Sequence, residues 1–250
     1  MAPQARPAHG DLVATVQESG SIFVHRNIAN IVGQTDINAQ AVLQYAVEVL
    51  KVKHIFVCGH YDCGGVRAAL DPKDYGAPLQ QWLSQIRDVY RLHKDELLSI
   101  ADTHQRYNRL VELNILEQCL NVFKSPIVQK RRVMTSLDPA KKWVEPQVHG
   151  LVYHPSEGLL KELSVDFRDY FQQYWSIYSV YNSGKQERQP QRPTRPTLEA
   201  DEPIGIGAGA IRQIFAKSSS EGDGLMTAPQ FADFLREALQ VIGARYLLVP

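Results

Sequence analysis

The sequence predicts an α/β fold, a mostly parallel β-sheet flanked by helices, with a small helical extension towards the C-terminus. Three observations predict it. Residues 52–60, VKHIFVCGH, form a near-continuous apolar run, as a parallel strand covered on both faces requires. Strand-like runs alternate with segments of helical period along the first two thirds of the chain. Gly64 and Gly65, directly after Cys63, let the backbone turn tightly from strand into helix.

Taken in order, residues 21–27, SIFVHRN, read as a short buried strand. A helix over 36–50 follows, with Asp36 or Thr35 as its cap and Ile37, Ala41, Tyr45 and Val49 on one apolar face. After the strand at 52–60 a helix is expected to begin near Val66. Two helices with polar faces come next, at 79–100 and 107–125, the second stopped near Pro126. QVHGLVYH (147–154) is a strand, a turn spans Pro155–Gly158, and GLLKELSVDF (158–167) is the last strand, expected at the edge of the sheet. Phe167, Tyr170, Phe171, Tyr174, Trp175 and Tyr178 recur at helical spacing and predict a helix packed on the domain or on a second subunit. This first domain is taken as 1–181. Residues 182–203 are rich in proline, lack an apolar face and read as a disordered linker. Residues 204–250 regain helical patterning.

The chain has 250 residues, 44% of them apolar, with 27 basic and 27 acidic side chains. That is enough for one ordinary core with an appendage. Zero net charge offers no electrostatic case for nucleic acid or an anionic membrane surface. No apolar run is long enough to span a bilayer. The N-terminal residues lack the apolar core of a secretory signal, although Arg6 and the scarcity of acids give them something of a mitochondrial presequence. Three cysteines suit a reducing compartment better than a disulfide framework. A cytoplasmic protein is expected, with mitochondria the alternative.

The chemistry is concentrated in CGHYDCGG. Imidazole and thiolate are ligands that zinc prefers, and the His60-x-x-Cys63 spacing lets one loop supply both. In isolation such a pair is more often a buried histidine and a buried thiol in a tight turn. Here FVHRNIAN, QYAVEVL and VKHIFVCGHYDCGGV, followed by IRDVYRLH, RLVELNILEQ, QVHGLVYH and GLLKELSVDF, resemble the β-class carbonic anhydrases, the fungal members most of all. The resemblance covers about residues 20–168 in order. It implies reversible, zinc-dependent hydration of carbon dioxide to bicarbonate, with one zinc per subunit. His60 and Cys63 would be two of three protein ligands. The backbone N–H of Gly64 would donate to bicarbonate, Phe23 and Tyr45 would line the small substrate pocket at a dimer interface, and Arg26 matches a base that contacts bicarbonate in some members. A homodimer or dimer of dimers is expected, with no nucleic-acid or membrane partner.

The chain departs from the family at one place. The family's third ligand is the cysteine of a C-x-D-x-R segment on a first strand, whose aspartate and arginine form the catalytic dyad. Family spacing puts Gln4, Arg6 and Ala8 at those positions. Cys119 sits in the apolar stripe of a helix, and His9 or Asp11 could serve only from a segment with no strand to hold it. The first strand is therefore missing, and because it lies between the strands of Phe23 and His60, a central row of backbone groups would go unpaired. Weak zinc binding and impaired hydration are expected. The alternative is a non-catalytic relative or truncated isoform that associates with a full-length carbonic anhydrase. In the extension, residues 210–239 resemble one EF-hand, with Gly224 at the sharp turn. Ser219, Glu221, Asp223 and Gln230 are poor calcium ligands, so a helical hairpin is the expectation there.

Overall fold

A computed structural model of the chain describes residues 22–141, 143–165 and 167, together with the backbone of strands at 225–227 and 246–249. Strand β1 (Ile22–Val24) leads through a 3-10 turn (Ile28–Asn30) to helix α1 (Ile37–Gln44), which continues into a π-helical turn (Tyr45–Val49). Then come β2 (His54–His60), α2 (Gly64–Leu70), α3 (Leu79–Leu92), α4 (Lys94–Ser99), α5 (Thr103–Phe123) and α6 (Pro126–Ser136). Strands β3 (Gln147–His154), β4 (Leu159–Leu163), β5 (Leu225–Thr227) and β6 (Tyr246–Val249) complete one six-stranded sheet of order β1-β6-β2-β3-β4-β5. The first four strands in that order run parallel, whereas β4 is antiparallel to both β3 and β5. The α/β class read from the sequence is the one found.

Local chemistry sets the helix ends. The Asp36 carboxylate accepts the Asn38 N–H at 3.0 Å and starts α1, and Asp102 does the same for α5 through the Gln105 N–H at 2.7 Å. The single helix expected over 79–100 divides at His93, whose φ of −106° and ψ of 25° are not helical. Pro126 opens α6 at its first turn, where a missing N–H costs nothing, so it both ends α5 and begins a helix that sequence reading missed. Helix α5 crosses the sheet and contributes Leu110, Val111, Leu113, Ile115, Cys119 and Val122 to the core, with Ile55, Val57, Val148 and Val152 from the strands.

Four expectations need correction. The row between β1 and β2 is not left unpaired: β6 lies there, parallel to both, with Leu247 in register with Phe23 on one side and Ile55 on the other. The C-terminal extension, expected to be helical, supplies two strands of the sheet. β4 is not an edge strand, because β5 covers its far side. The apolar face assigned to the helix at 36–50 is the outward one. Ile37, Tyr45 and Val49 are exposed, and Ala39, Leu43, Ala46 and Val47 are buried instead. Residues 1–21, 182–203 and the aromatic positions from Tyr170 to Tyr178 lie outside the described residues, as do the loop ligands of the EF-hand-like segment.

Candidate metal centre

β2 ends at His60, and Cys63 is the residue before the first turn of α2. Two residues join them. Tyr61 prolongs the ladder, its N–H bonding the Tyr153 carbonyl at 2.9 Å, and Asp62 takes the left-handed conformation (φ 56°) that short polar side chains tolerate. This tight corner brings the two predicted ligands into hydrogen-bond contact. The His60 Nδ1–H donates to the Tyr61 carbonyl at 2.8 Å, which fixes the tautomer and leaves Nε2 as the ring's lone-pair atom. Burial pushes the Cys63 thiol up, but the hydrogen bond and charge of His60, with the N–H groups of Val66 and Gly65, outweigh it, so its pKa falls. The His60 pKa rises, chiefly through the same bond to Cys63 and against burial.

The corner is braced from beneath. The Tyr107 hydroxyl donates to the Cys63 carbonyl, and burial lifts its own pKa to about 12. The Arg67 guanidinium lies 5.3 Å from the centre of the Tyr107 ring and pairs with Asp62 at 3.3 Å. Tyr61 donates to the Glu112 carboxylate at 2.5 Å. Glu112 also takes Arg109 at 2.8 Å and Lys161 at 3.1 Å. Sequence reading missed Tyr107 and Glu112, which show there only as polar positions on a long helix.

Of the predicted substrate residues, Gly64 opens α2 directly after Cys63, and Phe23 lies on β1, across β6 from β2. The Phe23 and Tyr45 rings lie 5.7 Å apart, with Tyr45 about half exposed. Arg26 is exposed on the segment after β1. The turn that follows holds Ala29 and Asn30 at φ of 62° and 47°, a strained pair for residues with side chains. Asn114 of α5 donates to the Ala29 carbonyl at 2.9 Å and Trp82 of α3 to the Ile28 carbonyl at 2.8 Å, and these bonds hold the turn in place beside α2. Gly65 makes this approach possible: a Cβ there would stand 2.7 Å from the Ile28 side chain. A Cβ added at Gly64 would meet open space.

Among the described residues no three histidine, cysteine, aspartate or glutamate side chains converge on one point. His60 and Cys63 are brought together, and neither Cys58 nor Cys119 joins them. Cys119 is buried and Cys58 half-buried, and desolvation lifts the Cys58 pKa to about 12 and pushes Cys119 up as well. Among the described residues the donor set therefore consists of His60 and Cys63.

A family model described as carbonic anhydrase matches residues 12–160. A carbonic anhydrase of Emericella nidulans is 51% identical over 150 residues, 60% of this chain and 62% of that protein. One of Candida albicans is 39% identical over 155 residues, 61% of this chain and 52% of that protein. The chain thus spans between half and two thirds of the length of these relatives. Among solved structures, a tetrameric β-carbonic anhydrase from the filamentous ascomycete Sordaria macrospora is similar with a TM-score of 0.53 and 38% identity, over 60% of this chain and 73% of that one. The β-carbonic anhydrase CafA of Aspergillus fumigatus is similar with a TM-score of 0.56 and 33% identity, over 66% and 76%.

Proposed function

The chain belongs to the β-class carbonic anhydrase family, and we propose that its chemistry is the reversible hydration of carbon dioxide to bicarbonate, impaired by an incomplete metal centre. The observation that carries this reading is the contact between His60 and Cys63 at the end of β2, with His60 Nδ1 engaged by the Tyr61 carbonyl. An imidazole and a thiolate suit zinc. Two donors hold it weakly, so the metal is substoichiometric and turnover is slow. Phe23 and Tyr45 form the apolar wall against which carbon dioxide rests. Arg26 supplies positive charge and Gly64 a backbone N–H for bicarbonate. A cytoplasmic or mitochondrial site of action is consistent with this chemistry.

The test is zinc per chain by elemental analysis, run beside stopped-flow hydration with a pH indicator. Substoichiometric zinc, slow hydration, and loss of both in His60→Ala and Cys63→Ser are expected. Hydration unchanged in those variants would overturn the reading.

A second reading is favoured by the exposed apolar row of Val24, Ile28, Tyr45 and Val49. Such a row suits a second copy or a full-length relative, in which case the chain modulates an active subunit. No helix among the described residues is long and apolar enough to cross a membrane. Sedimentation of wild type against Val49→Asp separates the readings: association lost with basal hydration retained favours a subunit role.

A further inference from the structure

Tyr61 stands between His60 and Cys63, and all three of its hydrogen-bonding groups are engaged. Its N–H bonds the Tyr153 carbonyl of β3 at 2.9 Å, and its carbonyl accepts the His60 Nδ1–H at 2.8 Å. Its hydroxyl donates to Oε1 of Glu112 on α5 at 2.5 Å, and its ring stands edge-on to His154 with 5.1 Å between centres. A carbonyl oxygen only accepts, so the bond to Tyr61 requires the proton of the neutral His60 ring to sit on Nδ1. A free neutral imidazole favours the Nε2–H form, and the Nδ1–H form is therefore imposed from outside the ring. With its N–H fixed on β3 and its side chain fixed on α5, Tyr61 has little freedom to turn its carbonyl away.

Glu112 is held as an anchor. Its side chain is 12% exposed, and its two oxygens take donors from three places in the fold. Tyr61 and Lys161 Nζ of β4, at 3.1 Å, share Oε1, and Arg109 Nη1, one turn back on α5, reaches Oε2 at 2.8 Å. Arg109 in turn bonds Glu96 of α4 at 2.6 Å through Nε. Rotating the carboxylate away from Tyr61 strands two cations along with the phenol, so the group resists displacement. By contrast the Arg67–Asp62 pair on the same corner, at 66% and 49% exposure, holds far less.

We propose that Glu112 is a positioning residue of the ligand corner: it fixes the Tyr61 side chain so that the Tyr61 carbonyl keeps the His60 proton on Nδ1, and the corner is thus preformed before any metal arrives. The first part concerns the metal-free chain and is independent of the functional reading. Its consequence for zinc rests on that reading.

The test is long-range 1H–15N spectroscopy of the His60 ring in the metal-free full chain at alkaline pH, where the ring is neutral. Wild type should show a protonated Nδ1 and an unprotonated Nε2. Tyr61→Phe and Glu112→Ala should each shift the tautomer ratio towards Nε2–H by about tenfold, the order expected for losing one charge-assisted hydrogen bond. Glu112→Gln retains an acceptor oxygen and should recover part of the wild-type ratio. Val128→Ala, which opens a cavity at a buried position of α6, destabilises the fold and should leave the ratio unchanged. If Glu112→Ala fails to fold, Tyr61→Phe makes the same test with the carboxylate and both cations still paired. A wild-type ratio in Tyr61→Phe, an equal shift in Val128→Ala, or a protonated Nε2 in wild type overturns the positioning role. Zinc retention in a chelator competition then separates the two parts: it should weaken about tenfold in Tyr61→Phe. An altered tautomer with unaltered zinc retention overturns the consequence for the metal alone, and a wild type that retains no zinc overturns the functional reading while the tautomer result stands.

Discussion

Replacing Gly59 by alanine tests how the fold supports the site. Gly59 precedes His60 in β2, and α5 crosses directly over it. A Cβ at this position would stand 2.7 Å from both Cγ1 and Cδ1 of Ile115 and 2.9 Å from Oδ1 of Asn30. Ile115 is fully buried, and Asn30 is 4% exposed and held at positive φ, so neither can swing clear. Reaching an ordinary contact of 3.4 Å needs about 0.7 Å of movement between helix and sheet. Overpacking of this kind costs about 1–3 kcal/mol, and the rigidity of both neighbours places Gly59→Ala in the upper half of that range. Ile115→Ala alone leaves a cavity and costs about 2–5 kcal/mol. It also removes both atoms that the new methyl would strike, so the double variant should be more stable than the sum of the two losses by about 1–2 kcal/mol. Urea unfolding of wild type, both single variants and the double gives that coupling energy directly. Gly64→Ala is the control: it meets open space, and stability should stay within about 0.5 kcal/mol. Additive losses, within about 0.5 kcal/mol, would refute the claim that Gly59 exists to admit Ile115.

Two further outcomes are expected. Burial raises the Glu112 carboxyl, but the bonds from Tyr61, Arg109 and Lys161 overcome it and leave its pKa below the usual value. A carboxyl depressed in the folded state adds stability above the unfolded value of about 4.3, and that stability is lost as pH falls through the folded value. Unfolding free energy should therefore decline below about pH 4.3 in wild type and decline less steeply in Glu112→Gln, as urea titrations between pH 3 and 6 would show. Tyr107→Phe deletes the donor to the Cys63 carbonyl and should cost about 1–2 kcal/mol, with weaker zinc retention than wild type in a chelator competition.

How legible the fold was in the sequence depended on how local each signal is. β2, β3 and β4 stand where their apolar runs placed them, and Asp36 caps α1 as its side chain predicts. The contact between His60 and Cys63 was legible because a spacing of three residues encodes it. The orientation of α1 was not. Ile37 and Val49 outscore Ala39 and Ala46 in hydropathy, yet Ala39, Leu43, Ala46 and Val47 are the residues buried and Ile37, Tyr45 and Val49 are exposed. Pro126 read as a stop because sequence alone does not distinguish a proline after one helix from a proline opening the next. Tyr107, Asn114 and Glu112 stayed hidden for a related reason. Their roles lie in contacts with residues 44, 85 and 51 positions away, respectively.

The C-terminal strand is the extreme case. RYLLV at the end of the chain is short and follows a helical pattern, so periodicity assigned it to a hairpin. What places it in the sheet is the vacancy between β1 and β2, where two rows of backbone donors and acceptors require a partner and where a four-residue apolar run satisfies both at once. The demand lies in the body of the domain and the supply lies in the extension, so neither segment announces the pairing when read alone. The same separation explains the state of the site. The proposed substrate wall starts from Phe23 on β1, with Tyr45 on the π-helical turn beside it, and the proposed ligand corner starts from His60 at the end of β2, and these two strands are not neighbours in the sheet. β6 joins them through its ladder, while Asn30 and Gly65 fix their spacing near the end of β2. A site divided in this way loses geometry before it loses ligands. Weakening the central strand should disturb the wall first and leave the His60–Cys63 contact, which is closed within four residues of one corner, largely in place.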